Sequence, residues 1–234
     1  TVIKFCNHLG YEKFTEFKKE FTSYAHSELL IYNKIGGETA PVSEGDSVWS
    51  MIQNDAIASL QETLSDPQNH SSLTELLARM EKAKHIYVTG GRLSGIAAAM
   101  LANKLRYLNL QVHDLSCGTV GDYIDQTALV QPEDLVIAIS FPRYTKRVVT
   151  ALEDMHRRGV PIALITDKGL SPVHPFADIV FHCATDSSAF LPCYTGCLAL
   201  IDVICQAVCM EHRSEITEYV RDLEKRLLAQ GVWM

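Results

Sequence analysis

No stretch of this chain is apolar for the roughly 18 to 20 residues that a bilayer-spanning helix needs; its longest apolar runs are strand-sized or are interrupted by charge. No signal-peptide pattern opens it either, so the chain reads as a cytoplasmic protein without membrane contact. Positive charge is in short supply. With 21 Lys and Arg against 28 Asp and Glu, the net charge of −7 argues against one large nucleic-acid surface, although a small DNA-binding module fits inside an acidic total. The dinucleotide signature is missing too: Gly90-Gly91-x-x-x-Gly95 does not fit G-x-G-x-x-G, which sets NAD aside and leaves no cofactor in the reading. The seven cysteines lack the spacing of a secreted disulfide scaffold. Cys193, Cys197, Cys205 and Cys209 recur at intervals of four or eight on one predicted helix. They have no matched His or Cys partner for a tetrahedral zinc set and read as packed thiols, with no metal. No internal repeat or low-complexity run is present.

What is there is an ordinary globular composition, 47% hydrophobic and 21% charged over 234 residues, enough for one full core and a smaller module. The chain opens mid-pattern on Thr1-Val2-Ile3-Lys4-Phe5-Cys6-Asn7-His8-Leu9-Gly10, the body of a helix ending at a glycine, which places the true N-terminus upstream. Phe14, Phe17, Phe21 and Tyr24 follow at three- and four-residue steps, giving an amphipathic helix to about Tyr32. Between 33 and 46 the periodicity stops and Gly36, Gly37, Pro41 and Gly45 collect, a linker and domain boundary. Asp46 or Ser47 then caps a helix through Trp49, Ile52, Ile57 and Leu60 to Leu64, and Ser71 or Ser72 caps another through Leu73, Leu76, Leu77 and Met80.

Beyond residue 84 strands and helices alternate. Apolar strands fall at 85–89, 110–115, 135–140, 160–166 and 179–183, with helices at 94–108, near 119–126, at 144–158 and at 193–211. Such alternation implies right-handed crossovers and a parallel sheet covered on both faces. A last amphipathic helix, capped by Ser214 and carrying Ile216, Tyr219, Val220, Leu223 and Leu227 on one side, packs internally or against a partner subunit.

Two segments carry the chemistry. Val88-Thr89-Gly90-Gly91-Arg92-Leu93-Ser94-Gly95 and Ile139-Ser140-Phe141-Pro142-Arg143-Tyr144-Thr145-Lys146 each close a strand and open a helix. A helix start has unpaired N–H groups and about half a positive charge, so hydroxyls and guanidinium groups added there build a seat for an anion. In a sheet of order 2-1-3-4-5, strands one and three flank the reversal where ligands bind. The candidate binding residues are Gly90, Gly91, Arg92, Ser94, Ser140, Arg143 and Thr145. Helix capping is the plainer role for Ser94, Ser140 and Thr145, and solvated surface for the arginines, which otherwise grip phosphate or carboxylate through two parallel donors.

Over residues 47 to 212 the chain resembles the SIS (sugar isomerase) domain, a phosphosugar-binding fold whose two turns read G-x-G-x-S and S-x-S-G-x-T-x-E. Ser94 matches the first-turn serine, and Ser140 and Thr145 match the first serine and the threonine of the second turn. The resemblance implies that these hydroxyls hold a ligand's phosphate. Arg92 stands in place of the second glycine, Pro142 and Arg143 in place of the second Ser-Gly, and Arg147 in place of the glutamate. Pro142 removes a hydroxyl and an N–H, leaving Arg143 to supply contacts. The opening residues, through Leu9-Gly10-Tyr11 to Phe14, Glu16, Phe17 and Lys18, resemble the end of the helix-turn-helix domain of RpiR/MurR-type transcriptional regulators, in which a DNA-binding head precedes a SIS domain. That resemblance makes Thr1, Lys4 and His8 the DNA-facing candidates on a recognition helix. The organisation it implies is a helix-turn-helix remnant at 1–32, a linker at 33–46, and a SIS effector-binding and oligomerisation domain at 47–234. The implied partners are DNA through the N-terminal domain, an anionic sugar-type effector, and further copies in a homodimer or homotetramer contacting through the final helix and Trp233. The function implied is a regulator whose DNA binding responds to a phosphorylated sugar or related anionic metabolite. The alternative is a SIS-fold phosphosugar isomerase or lyase, which needs a placed base; Arg147 stands where the pattern offers one, leaving His113, His174 and His182 near strand ends.

Overall fold

A computed structural model describes residues 2–8, 13–15, 17–18, 47–116, 118–168 and 171–232. The chain divides into two compact units, Thr1–Asp55 with Ser187–Pro192, and Ala56–Asp186 with Cys193–Met234.

In the first unit, helix α1 (Val2–His8) buries Cys6 and leaves Lys4 exposed. Phe5 and Phe17 meet edge to face at 5.9 Å, and Phe14 lies 6.4 Å from Phe17, so two aromatic positions of the periodic stretch share a cluster with Phe5 of α1. Thr1, the side chain of His8, the amphipathic helix beyond Lys18 and the linker at 33–46 lie outside the described residues. Helix α2 (Val48–Ser65) starts at Ser47, whose hydroxyl accepts from the Ser50 N–H at 3.2 Å.

The second unit continues with α3 (Pro67–Met80), β1 (Ile86–Gly90), α4 (Leu93–Tyr107), β2 (Val112–Asp114), α5 (Val120–Leu129), β3 (Leu135–Ile139), α6 (Lys146–Arg157), β4 (Ile162–Thr166), a 3-10 turn (His174–Phe176), β5 (Ile179–His182), α7 (Thr195–Glu211) and α8 (Arg213–Ala229). All strand pairs are parallel, in the order β2-β1-β3-β4-β5, the order expected from the sequence. Side chains alternate across the sheet with period two. Ile86, Val88, Ile137 and Ile139 face a core shared with α3, α4 and α7, while Tyr87, Val136 and Ala138 face a second core closed by α5 and α6. Leu101 and Leu105, one turn apart on α4, are wholly buried, each contributing roughly 1.5–3 kcal/mol. Among the described residues no single helix is long and apolar enough to cross a membrane.

Several expected boundaries are corrected. Helix α3 is capped by Asp66, which accepts from the Gln68 N–H at 2.9 Å; Ser71 and Ser72 lie inside it. The Ser72 hydroxyl donates instead to the Val180 carbonyl at 2.6 Å, and Asn69 exchanges bonds of 2.7 and 2.8 Å with the backbone of His182. These two residues cover the backbone of β5, the strand at the sheet edge, where open donors and acceptors invite wrong pairing. Helix α8 starts at Arg213 with no side-chain cap, so Ser214 sits in its first turn. Helix α7 starts at Thr195, leaving Cys193 and Tyr194 ahead of it.

Candidate functional site

The sheet order puts the carboxyl ends of β1 and β3 side by side, with Gly90 opposite Ile139, and both marked turns leave from there. The first turn is tight. A Cβ on Gly90 would come within 2.5 Å of the Ser94 carbonyl oxygen, and the Gly95 N–H donates to the Arg92 carbonyl at 3.0 Å. Arg92 has φ 58° and ψ −124°, and Arg143 in the second turn has φ 67°. Both values lie where glycine is comfortable and a side chain is not. The two arginines thus keep the backbone shape of the glycines they replace in the resemblance, while adding guanidinium groups.

The turns converge. A Cβ on Gly91 would sit 2.2 Å from the Thr145 Oγ1, so only a glycine lets the first turn lie against the second. Thr145 occupies the N-cap position of α6, yet its hydroxyl makes no capping bond, and α4 likewise has no side-chain cap. Ser94, buried in the first turn of α4, has its Oγ 3.0 Å from the Tyr194 hydroxyl. Neither hydroxyl therefore caps its helix. Ser140 is buried; its N–H donates to the Ile165 carbonyl at 3.0 Å and its carbonyl accepts from the Thr166 Oγ1 at 2.7 Å. All seven candidate residues of the anion seat thus lie on two adjoining turns.

The surroundings are cationic. Arg92, Arg143, Lys146 and Arg147 make no ion pair among the described residues. The Arg147 guanidinium carbon lies 4.7 Å from the centroid of the Tyr123 ring, and its Nε is buried without a hydrogen-bond partner. Two acids flank the turns, both engaged: Asp114 accepts from the Ser116 N–H at 2.8 Å, and Asp167 from the Tyr144 hydroxyl at 2.8 Å. Burial, then the bond to Asp167, pushes the Tyr144 phenol far above its usual range, so it stays a donor. The histidines are employed elsewhere. His113 stacks on Tyr87 at 4.8 Å, His182 lies 3.8 Å from Asp66, and His174 is on the 3-10 turn.

Sequence reasoning missed Tyr194, Tyr144 and Asp167. Tyr194 reaches Ser94 across 100 residues, and Tyr144, on the second turn itself, reaches Asp167 across 23, and no spacing rule registers that.

A parallel sheet of order 2-1-3-4-5 with helices on both faces defines a doubly wound α/β domain. The comparison with known families is more specific: residues 79–207 match the SIS domain, and the chain belongs to that family. An uncharacterized HTH-type transcriptional regulator of Haemophilus influenzae is 26% identical over 181 residues, 77% of this chain and 62% of that protein. The Escherichia coli HTH-type transcriptional regulator YfhH is 25% identical over 240 residues, 96% of this chain and 80% of its own length. This chain thus spans less than two thirds of the first relative. Among solved structures, the sugar isomerase domain of an RpiR transcription factor from Sphaerobacter thermophilus superposes with a TM-score of 0.70 at 23% identity, covering 77% of this chain and 99% of that one. Vibrio vulnificus NanR, solved with ManNAc-6P, gives 0.67 at 19%, covering 98% and 80%. Both likenesses show the fold.

Proposed function

We propose that this chain is the greater part of a cytoplasmic, bacterial-type transcriptional regulator, its SIS domain binding a phosphorylated sugar or related anionic metabolite and thereby altering DNA binding. The observation that carries the reading is the meeting of the two turns, glycine against threonine, on segments carrying four cations that make no ion pair among the described residues. Gly90, Gly91, Arg92, Ser94, Ser140, Arg143 and Thr145 form the seat, and Arg147 adds charge beside it. Relatives described as HTH-type regulators support the regulatory role. Thr1, Lys4 and His8 are the DNA-facing residues by resemblance, and Lys4 is exposed as that role requires. Homodimerisation or tetramerisation fits the two-fold symmetry of operators, and gel filtration checks it; a monomer overturns that part.

The test is a panel of phosphosugars beginning with ManNAc-6P, the ligand of NanR. A ligand at about 100 times its dissociation constant stabilises the fold by about 2.7 kcal/mol, a rise of about 5–10 °C in melting temperature for a chain of this size. Arg143→Ala abolishes that rise. No shift with any member overturns the reading, and turnover of a member by the purified protein replaces it with the enzymatic one.

A further inference from the structure

We propose that Tyr194 is the positioning residue of the anion seat, aiming the Ser94 hydroxyl at the ligand and linking the seat to the loop at 185–193. The proposal rests on the anion-binding reading above.

One side chain reaches both turns. The Tyr194 hydroxyl is 3.0 Å from the Ser94 Oγ in the first, and its ring packs edge-on at 5.3 Å against Phe141 in the second. The chemistry follows from counting protons. A serine hydroxyl has one proton and two lone pairs, whereas phosphate and carboxylate oxygens only accept. Ser94 therefore serves an anion only by donating. A phenol donating to Ser94 satisfies the serine oxygen and frees its proton for the anion, and two bonds in series strengthen one another. Burial pushes the Tyr194 phenol above its usual range, so its proton is in place to donate.

The backbone on either side of Tyr194 is pinned. The Gly196 N–H donates to the Ser59 Oγ at 3.0 Å, and a Cβ on Gly196 would lie 2.2 Å from the Thr63 Oγ1. The Cys193 N–H donates to the Thr185 carbonyl at 3.0 Å, closing the neck of the loop. The tip of that loop has a different allegiance: Ser187–Pro192 groups with Thr1–Asp55. There the Ser187 Oγ, the Ser188 N–H and the Ser188 Oγ donate to the Asp55 carboxylate at 3.0, 2.7 and 3.0 Å. Tyr194 lies two residues past Pro192.

Tyr194→Phe keeps the ring and its packing and removes one hydroxyl. With inorganic phosphate as the probe in an equilibrium titration, we expect Tyr194→Phe to weaken binding about tenfold, the worth of one hydrogen bond that supports a charged acceptor. In a Ser94→Ala background the same substitution changes affinity by less than twofold, because its effect runs through Ser94. Equal losses in the two backgrounds, or no loss in the single variant, overturn the proposal. In hydrogen exchange, phosphate alters the protection of amides at 185–193 in the unsubstituted protein and not in Tyr194→Phe; no change in either removes the link to the loop. If the unsubstituted protein binds neither phosphate nor any phosphosugar, the anion-seat reading itself falls, a result distinct from those.

Discussion

Arg92 and Arg143 bring the cost of the proposed binding site down to single dihedral angles. A non-glycine residue held in a sparsely populated backbone region costs about 1–3 kcal/mol, and this chain holds arginine at φ 58° and 67° in the two turns. Glycine at either place relieves that strain, while the looser unfolded chain takes back about 0.4–1 kcal/mol. Arg92→Gly is therefore expected to raise stability by about 1 kcal/mol in urea denaturation and to weaken phosphate binding in titration. A variant less stable than the parent would show that Arg92 is held by contacts that outweigh its strain. Sequence alone revealed half of this. That arginine stood where the resemblance puts glycine was legible as altered chemistry; that both arginines have a positive φ was not, because a side chain at such a position gives no local sign of its dihedral angle.

At the scale of elements, apolar patterning carries strands and helices, because each interior strand buries five successive residues and each covering helix repeats an apolar stripe. Caps are less legible, since any Ser, Thr, Asp or Asn near a helix start competes for the role. Ser72 illustrates the failure. Its side chain satisfies the Val180 carbonyl on β5, a partner 108 residues away that no local pattern indicates. The same holds for Asn69, whose amide accepts from the His182 N–H and donates to the Thr63 and His182 carbonyls at 2.8 Å each. Replacing it strands three backbone groups at a nearly closed edge, and a stranded buried group costs about 1–3 kcal/mol. Some of those groups regain water, so Asn69→Ala is expected to lower stability by about 2–4 kcal/mol. Urea denaturation measures this, and a loss below 0.5 kcal/mol would mean that α3 does not seal the β5 edge.

At the scale of the whole molecule, regulation demands more than binding: an effector that favours two arrangements of the protein equally shifts nothing, however tightly it is held. The proposed anion seat lies on turns of the second unit, and a proposed DNA-facing residue, Lys4, lies in the first, so the coupling must act between units that a single sequence pattern does not connect. Linkage makes the demand quantitative. If occupancy of the seat changes operator affinity by some factor, operator must change effector affinity by the same factor, whichever sign the effect has. Couplings of this kind typically amount to about 5–150-fold. For the full-length regulator, with operator fragments selected from genomic DNA and the phosphosugar that raises the melting temperature most, the effector dissociation constant measured with and without operator is expected to change by at least fivefold. The operator dissociation constant measured with and without effector changes by an equal factor. Two ratios near one would leave a binding domain with no regulatory output, and Tyr194→Phe is expected to bring both ratios toward one together, because a group lying on the route between two sites weakens the coupling seen from either end.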